Sequence, residues 1–290
     1  MRGRGERRWL GYGQIASAAL IWGSIGVIVR LLPYSAVTIV TYRVWFSLPL
    51  FFLLLLKSEG IQGFRHASHS RLLTASGVGQ AAAWVAFFSA FKLTGIANAV
   101  LLLYTAPIFV ALLSPYLLLE RRQPRTYVSL LLATLGVALI SGSDGLGESL
   151  NALGIAVGLL AGFLFALIIL ADRKLSGAYS SRSVVAMQLL IAAVVLAPAP
   201  FLEMGIRSLF EAGLLLMLGL VHTGLALYLY IEGLRTTLAQ HAVVIQYLEP
   251  ASAVIYAALL LAEIPREISL LGGLLIVAAN LLLVAGNRRT

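Results

Sequence analysis

The chain alternates long apolar stretches with short polar breaks along its whole length. A helix needs about 17 to 25 mostly apolar residues to cross the hydrocarbon core of a bilayer. The stretches predict ten membrane-spanning helices, at about 10–32, 35–56, 72–91, 97–119, 126–142, 152–171, 183–202, 209–231, 239–261 and 268–286. The breaks are too short to hold a soluble domain, so the pattern predicts an all-α integral membrane protein.

Composition and charge agree with this pattern and add an orientation. Of the 290 residues, 60% are hydrophobic and 11% are charged, whereas an average soluble protein has about 25% charged residues. Most of the 21 lysines and arginines fall in alternate breaks, beginning with the N-terminal segment. Because cytoplasmic loops collect positive charge, both termini are predicted to be cytoplasmic. The net charge of +9 is therefore interpreted as a topology signal and not as nucleic-acid binding.

The second part of the chain repeats the first at an offset of 143 residues. The offset pairs identical residues: Tyr104 with Tyr247, Pro107 with Pro250, and Glu120 with Glu263. Each copy, 1–143 and 144–290, holds five predicted spans. Because five is odd, the second copy must enter the membrane upside down. Inverted repeats are typical of secondary transporters, whose substrate site lies near the membrane midplane where the copies meet.

On these features the chain resembles the EamA family of the drug/metabolite transporter superfamily. The shared pattern includes Trp22, Gly23 and Ser24 in the first span, Arg43 in the second, and a proline-bearing fourth and ninth span that each end in glutamate. Length, basic N-terminus and aromatic content are most similar to YddG-type amino-acid exporters. The resemblance implies two five-helix repeats around a central cavity that opens alternately to the two sides, in a bacterial inner membrane.

Features present in both copies are predicted to serve the scaffold or the gating of both membrane faces. Pro107 and Pro250 each remove a backbone hydrogen bond, so they are either hinges or plain kinks in packing helices. Glu120 and Glu263 end their spans near water. They are interpreted as charges that flank a gate or anchor a helix, and proton transfer is the alternative.

Polar residues found in only one copy are the candidates for substrate binding. Gln246 and Glu249 belong to a polar stripe of the ninth span, whereas the matching positions Leu103 and Ala106 are apolar. Glu249 is predicted to line the cavity and meet an ammonium group or a proton, or else to pair with Arg43. The guanidinium of Arg43 can bind a carboxylate through two parallel hydrogen bonds, or it can brace helices against backbone carbonyls.

The remaining candidates are weaker. His222, central in the eighth span, could accept a proton or simply be satisfied by a neighbour. One amide and several aromatic side chains complete the predicted substrate-binding set, although each could equally be a packing residue: Gln80, Trp84, Tyr104, Tyr42 and Trp22. Aromatic faces attract ammonium groups, which would suit an amino-acid ligand.

Other kinds of chemistry find no support in the sequence. Without cysteine there is neither a thiolate metal site nor a cysteine nucleophile. No nucleotide-binding P-loop is present, and both aspartates, Asp144 and Asp172, fall at the ends of predicted spans. We therefore predict no enzymatic activity, no cofactor and no metal. The predicted partners are membrane lipids and a small amino-acid-like molecule, and the protein is expected to be able to act as a monomer. The predicted function is a secondary transporter that exports small amphipathic metabolites, and the alternative is a passive channel or an exporter of another class.

Overall fold

The computed structural model describes residues 2–60, 69–94, 96–143, 151–197, 205–262 and 265–286. Within these ranges the chain is helical and forms no β-strand. In chain order the helices are α1 (Arg2–Gly23), α2 (Ile25–Arg30), α3 (Ala36–Glu59), α4 (Ser70–Thr94), α5 (Ile96–Leu103), α6 (Ala106–Leu117), α7 (Pro124–Ser143), α8 (Ala152–Ala178), α9 (Ser181–Val195), α10 (Leu209–Met217), a π-helix (Leu218–Leu225), α11 (Ala226–Leu234), α12 (Ala239–Gln246), α13 (Leu248–Leu261) and α14 (Glu267–Gly286).

Nine segments of the described chain are long and apolar enough to cross a membrane. They coincide with nine of the ten predicted spans, and the ninth predicted span, 239–261, has the same bounds in the structure. At the seventh predicted span the structure has α9, an apolar helix of 15 residues. Such a helix is about 22 Å long, which is shorter than a hydrocarbon core of about 30 Å. Since residues 198–204 lie outside the described ranges, the count of ten spans stays a prediction.

The largest correction concerns α8. The sequence predicted that this span ends at residue 171, before the charged run that starts with Asp172, but the helix continues to Ala178. The side chain of Asp172 is only 2% exposed, so its predicted position at a span end is wrong. A helix can continue past basic residues because the long side chains of lysine and arginine reach water while their stems cover apolar surface.

The helices of the two halves pack in matching ways. Helix α1 packs against α12 and α13, and its counterpart α8 packs against α5 and α6. Helix α1 also contacts α11, as α8 contacts α4. Two further contacts, α3 with α9 and α7 with α14, join helices that correspond to each other under the 143-residue offset. Matching contacts of this kind are expected if an approximate two-fold axis relates the halves, and the inverted repeat stays a prediction.

Glycines allow α7 and α14 to touch along their backbones. A Cβ atom on Gly136 would lie 2.5 Å from the carbonyl oxygen of Gly272, and a Cβ atom on Gly272 would lie 2.5 Å from that of Gly136. Membrane helices associate through close packing of small residues, because lipid tails are as apolar as the helices themselves. The largest apolar cluster lies beside this contact and contains Tyr247, whose side chain is fully buried.

An inverted arrangement of the halves predicts where Leu31 and Lys174 lie. These exposed residues are 143 positions apart: Leu31 follows α2 directly, and Lys174 lies in the last two turns of α8. Since the chain has no native cysteine, the variants Leu31→Cys and Lys174→Cys can be labelled singly. A membrane-impermeant maleimide should label Leu31→Cys in intact cells and Lys174→Cys in inside-out vesicles, and detergent should expose both. Labelling of both from one side would contradict the inverted repeat.

Candidate functional site

Four interruptions of helical regularity occur within the predicted first, fourth, eighth and ninth spans. They are the turn at Ser24 between α1 and α2, the turn at 104–105 between α5 and α6, the π-helix between α10 and α11, and Tyr247 between α12 and α13. An interruption frees backbone groups, which inside a membrane must find partners within the protein. Side chains of one interruption satisfy backbone groups of another, and these bonds bring most of the candidate residues together.

The motif Trp22-Gly23-Ser24 binds the first span to the π-helix. The indole Nε1 of Trp22 donates a hydrogen bond to the backbone oxygen of His222 at 2.8 Å. The hydroxyl of Ser24 lies 2.8 Å from Nε2 of the same histidine, whose Nδ1 lies 3.2 Å from the carbonyl oxygen of Met217. A carbonyl only accepts, so Nδ1 carries a proton. Both ring nitrogens of this buried histidine therefore have partners.

Gly23 sets the distance between the first and ninth spans. A Cβ atom at this position would lie 2.0 Å from Oγ of Ser252 and 2.8 Å from the backbone oxygen of Glu249. Only glycine therefore lets α1 lie directly against α13. The close approach places the beginning of α13, which carries Glu249, beside the turn at Ser24.

The π-helix holds one end of the Arg43 guanidinium. Nε of Arg43, on α3, donates to the hydroxyl of Thr223 at 2.9 Å, and that hydroxyl donates to the carbonyl of Leu218, five residues earlier, at 2.9 Å. Gly219 allows the close contact, since a Cβ atom there would lie 3.0 Å from the backbone oxygen of Arg43. The two terminal nitrogens of Arg43 bond to no other described residue. The side chain is only partly buried.

The matched tyrosines of the two halves meet each other. The rings of Tyr104 and Tyr247 are stacked with centroids 5.4 Å apart. The hydroxyl of Tyr247 donates to the backbone oxygen of Tyr104 at 3.1 Å and lies 3.0 Å from the hydroxyl of Thr134. In a regular helix the amide of Ile108 would bond that oxygen, but it bonds the oxygen of Thr105 instead. A side chain of one half thus replaces a backbone bond that the other half has lost.

The matched prolines stand just after these breaks. Pro107 lies in the first turn of α6, and Pro250 is the third residue of α13. The preceding helices end at Leu103 and Gln246, whose carbonyls a proline four residues later cannot bond. Within a first turn the missing amide proton removes no intrahelical bond. Each proline therefore both ends one helix and fits the start of the next.

Glu249 faces Arg43 without bonding to it. The side chains of Tyr104 and Gln246 face the carboxyl group of Glu249, and Oε1 of Gln246 is buried without a hydrogen-bond partner. Arg43 and Glu249 lie within electrostatic range of each other. No ion pair within 4.0 Å joins these two described side chains. The pairing that the sequence left open is therefore not a direct contact in this conformation.

Three predicted substrate-binding residues lie outside this set of contacts. Trp84 packs against the apolar cluster of α3, α4 and α9. Tyr42 belongs to a different cluster and stacks on Phe46 with centroids 6.0 Å apart. Gln80 is 8% exposed, and its amide bonds to no other described residue.

Glu120 ties together spans of both halves, while Glu263 lies outside the described residues. Oε1 of Glu120 accepts a hydrogen bond from the amide of Ala239 at 2.8 Å and lies 3.7 Å from Nε of Arg173. Glu120 thus caps α12, whose own N-cap residue supplies no side-chain bond. Burial raises the pKa of Glu120 above its ordinary value, against the opposing effects of the bonded amides and of Arg173.

Tyr230 belongs to the site although the sequence did not single it out. Its ring lies against that of Trp22 with centroids 5.4 Å apart, and its buried hydroxyl has no hydrogen-bond partner. The hydroxyl lies within electrostatic range of Glu249 and of Asp172. The available signal was its spacing of eight residues from His222, which places both on a similar helix face.

Two cavities adjoin Lys174. The first, of about 520 Å³, has a charged lining that includes Arg8, Glu120, Arg173 and Lys174. The second, of about 370 Å³, is mostly apolar and lies among α4, α6 and α8, with Ser76 and Lys174 in its lining. Neither cavity is lined by Arg43 or Glu249. The central cavity that the family resemblance implies stays a prediction.

The close contact at Gly23 makes a prediction about stability. Gly23→Ala would force a Cβ atom against backbone and side-chain atoms of α13, so we expect it to lower the free energy of unfolding by about 1–3 kcal/mol. Gly26→Ala is the matched control, because a Cβ atom there meets nothing within 4 Å. Thermal unfolding in detergent measures both. Equal melting temperatures of the two variants would contradict the contact.

Comparison with known proteins agrees with the fold and identifies the family. A model of the EamA-like transporter family matches residues 9–142 and again residues 152–285. The two matches begin 143 residues apart, which is the offset of the repeat in the sequence. Together they cover most of the chain.

Several proteins with similar sequences are named uncharacterized transporters. YxxF of Bacillus subtilis is 28% identical over 178 residues, or 59% of this chain and 56% of that protein. YwfM of the same organism is 27% identical over 278 residues, or 94% of this chain and 93% of that protein. A Helicobacter pylori transporter is 29% identical over 208 residues, or 68% of each chain.

A solved crystal structure has the same fold. It superimposes with a TM-score of 0.85 over 98% of both chains, at 19% sequence identity. Within its described residues this chain has nine apolar helices that are long enough to cross a membrane, its sequence matches the family model twice, and its relatives include bacterial transporters. The chain is a multi-pass membrane protein, and it belongs to the EamA-like transporter family.

Proposed function

We propose that this protein is a secondary transporter of small zwitterionic metabolites of the amino-acid class, working by alternating access. The observation that carries the proposal is the placement of two opposite charges. Arg43 comes from the first half and Glu249 from the second, and both stand where the interrupted helices meet. Among the described residues they form no ion pair within 4.0 Å, and both side chains remain partly accessible. A ligand that carries both charges can bridge them.

The geometry of Arg43 suits the carboxylate of such a ligand. Its Nε is held by Thr223, so the guanidinium is oriented before the ligand arrives. The two terminal nitrogens can then each donate to one carboxylate oxygen, the bidentate arrangement that arginine makes and lysine does not. Orientation in advance reduces the entropy that binding must otherwise remove.

Glu249 suits the ammonium group. Its carboxyl group and the unpartnered Oε1 of Gln246 offer acceptors, and Tyr104 adds a ring nearby. A charge that leaves water for a medium of low dielectric constant must be paired, since an unpaired buried charge is very costly. We assign Trp22, Ser24 and His222 a positioning role, because their bonds hold the π-helix that carries Thr223.

Alternating access requires bending at defined places, and we propose that these are the breaks before Pro107 and Pro250. Discontinuous helices at matched positions of two repeats are typical of secondary transporters. If the repeats are inverted, the two breaks serve opposite membrane faces. Glu120 supports this proposal, since it joins the end of the fourth span to the start of the ninth. Its contact would hold one face closed.

The substrate proposal predicts different outcomes for charge and geometry at Arg43. Arg43→Lys keeps the positive charge but loses the paired terminal nitrogens that bind both carboxylate oxygens. Substrate affinity should therefore fall about tenfold or more, which is the equivalent of one hydrogen bond to a charged group. Glu249→Gln removes the negative charge that would pair with the ammonium group, so it should abolish flux. Both variants should stay folded, because the two side chains do not depend on each other for a direct bond. Uptake of radiolabelled amino acids, nucleosides and drugs into proteoliposomes measures transport, and melting temperature in detergent measures folding.

Arg125→Lys serves as the control, because Arg125 is exposed in the first turn of α7 and lies outside the site. If the double variant Arg43→Ala/Glu249→Ala restored both stability and transport to unstable single variants, the two charges would only neutralise each other. That result would overturn the substrate-binding role. Flux that neither saturates nor shows stimulation by substrate on the far side would indicate a channel.

The hinge proposal predicts slower turnover without loss of fold. Pro107→Ala and Pro250→Ala supply the missing amide protons, so each broken span can form a straighter helix that resists bending. We expect the rate of transport to fall at equal protein levels while the melting temperature is kept or rises. Pro49→Ala is the control, because Pro49 is exposed within α3, a helix without a break. Unchanged rates in both hinge variants would rule the hinges out.

A further inference from the structure

A second buried carboxyl group lies away from Arg43 and Glu249. Asp172 of α8 is 2% exposed. Its Oδ1 accepts hydrogen bonds from the hydroxyl of Ser76, on α4, at 3.0 Å and from Nε2 of Gln188, on α9, at 2.5 Å. No described lysine, arginine or histidine lies within 4.0 Å of it. By helical rise, Asp172 stands about 9 Å before the end of α8.

The charged groups of the surrounding helices are engaged elsewhere or exposed. Arg173 pairs with Glu120, and Arg235 of α11 pairs with Glu232 and donates to a backbone oxygen. His241 of α12 bonds Tyr12 and Gln123. The remaining cations nearby are exposed at the starts of α4 and α9 and on α8 itself, namely Arg71, Arg182 and Lys174. Tyr230 of α11 is the neighbouring titratable group whose hydroxyl lies within electrostatic range of Asp172.

The neighbours of Asp172 can satisfy it in both protonation states. A carboxylate is an acceptor only, and it has two donors here, the hydroxyl of Ser76 and the amide of Gln188. A carboxylic acid needs an acceptor for its proton, and Oε1 of Gln188 is buried with no hydrogen-bond partner in the described part of the chain. In apolar surroundings without a cation, a carboxyl group is favoured in its neutral form. The cluster therefore offers two donors to the carboxylate and one acceptor to the carboxylic acid, so Asp172 has partners whether or not it holds a proton.

A cavity lies beside the cluster, and a second contact links the cluster to the proposed substrate site. The cavity of about 370 Å³ among α4, α6 and α8 reaches Ser76, and it shares Lys174 with the charged cavity of about 520 Å³. On the other side, the unpartnered hydroxyl of Tyr230 lies within electrostatic range of both Asp172 and Glu249. The side chain of Tyr230 therefore interacts electrostatically with Asp172 and with Glu249 of the proposed substrate site.

We propose that Asp172, Ser76 and Gln188 form a proton-binding site, and that the proton bound there is the ion that drives transport. The proton comes from water and adds to the carboxylate of Asp172, and it leaves as the same site reopens to the other side. The proposal of proton binding depends only on the cluster of Asp172, Ser76 and Gln188. The proposal that proton binding drives transport depends also on the transport function proposed above. Under the 143-residue offset Asp172 corresponds to Val29 and Ser76 to Gly219, so only one half carries this site.

Two measurements on the purified full chain separate proton binding from coupling. Infrared difference spectra between low and high pH should show a carbonyl band for each carboxyl group that is protonated at low pH, and the band of Asp172 should be missing in Asp172→Asn. In proteoliposomes an imposed pH gradient should drive accumulation of a radiolabelled amino acid. Asp172→Asn should lower this accumulation at least tenfold but should retain exchange of labelled for unlabelled substrate without a gradient.

Ser76→Ala and Ser129→Ala complete the design. Ser76→Ala keeps the carboxyl group but removes one donor to the carboxylate, so it should move the midpoint of the infrared titration to higher pH. It keeps the test valid if Asp172→Asn does not fold. Ser129→Ala removes a buried hydroxyl on α7 that has no partner, and it should behave as the wild type.

The proposal is overturned if Asp172→Asn keeps the infrared band, if it accumulates substrate like the wild type, or if accumulation follows a sodium gradient instead of a pH gradient. If no amino acid is transported at all, the substrate proposal fails. The infrared band and its loss in Asp172→Asn would still establish the proton site.

Discussion

Backbone polar groups that a helix leaves unpaired inside a membrane must bond within the protein, and this constraint organises the structure. Water cannot serve them, because each unsatisfied group in hydrocarbon costs several kcal/mol. The chain breaks or distorts four of its spans and then pairs the freed groups across the molecule. The hydroxyl of Tyr247 bonds the oxygen of Tyr104, and the indole of Trp22 bonds the oxygen of His222. An isolated half would lack these partners, so the irregular segments are stable only when the halves are together.

Close packing then fixes where such bonds can form. Gly23 lets the first span lie against the ninth, and Gly219 lets the π-helix lie against α3. Gly162 does the same for α8, since a Cβ atom there would lie 2.8 Å from the carbonyl oxygen of Leu102, just before the break in the fourth span. In the first case two interrupted spans meet, and in the other two a regular helix rests on an interrupted one. Under the proposed transport cycle, bending would occur at these interruptions.

Hydropathy predicted the spans because length and apolar content alone decide which segments can cross a bilayer. The matched tyrosines and prolines were visible because polar and conformationally special residues stand out in leucine-rich sequence. Orientation about each helix axis was not visible, because a span that is apolar all round has no polar face to indicate the interior. Trp84 and Tyr42 were therefore placed with the site but pack in other clusters. Asp172 was set aside because its neighbours Arg173 and Lys174 suggested a helix end, although a helix continues past basic residues that reach water.

The helices of the two halves correspond to each other, but the charged residues of the candidate sites occur in only one half. Under the 143-residue offset Arg43 corresponds to Ala186, Glu249 to Ala106 and Asp172 to Val29. Under the alternating access proposed above, a scaffold of two like, inverted halves has two like ways of packing, one opening to each side, so their free energies are close. A charge that occurs in only one half changes the energy of one packing more than the other, because its surroundings differ between them. A ligand or proton that neutralises the charge then shifts the balance by no more than its differential affinity for the two states. In the proposed cycle, charges that occur in only one half therefore let the binding of a ligand or a proton determine the side to which the molecule opens.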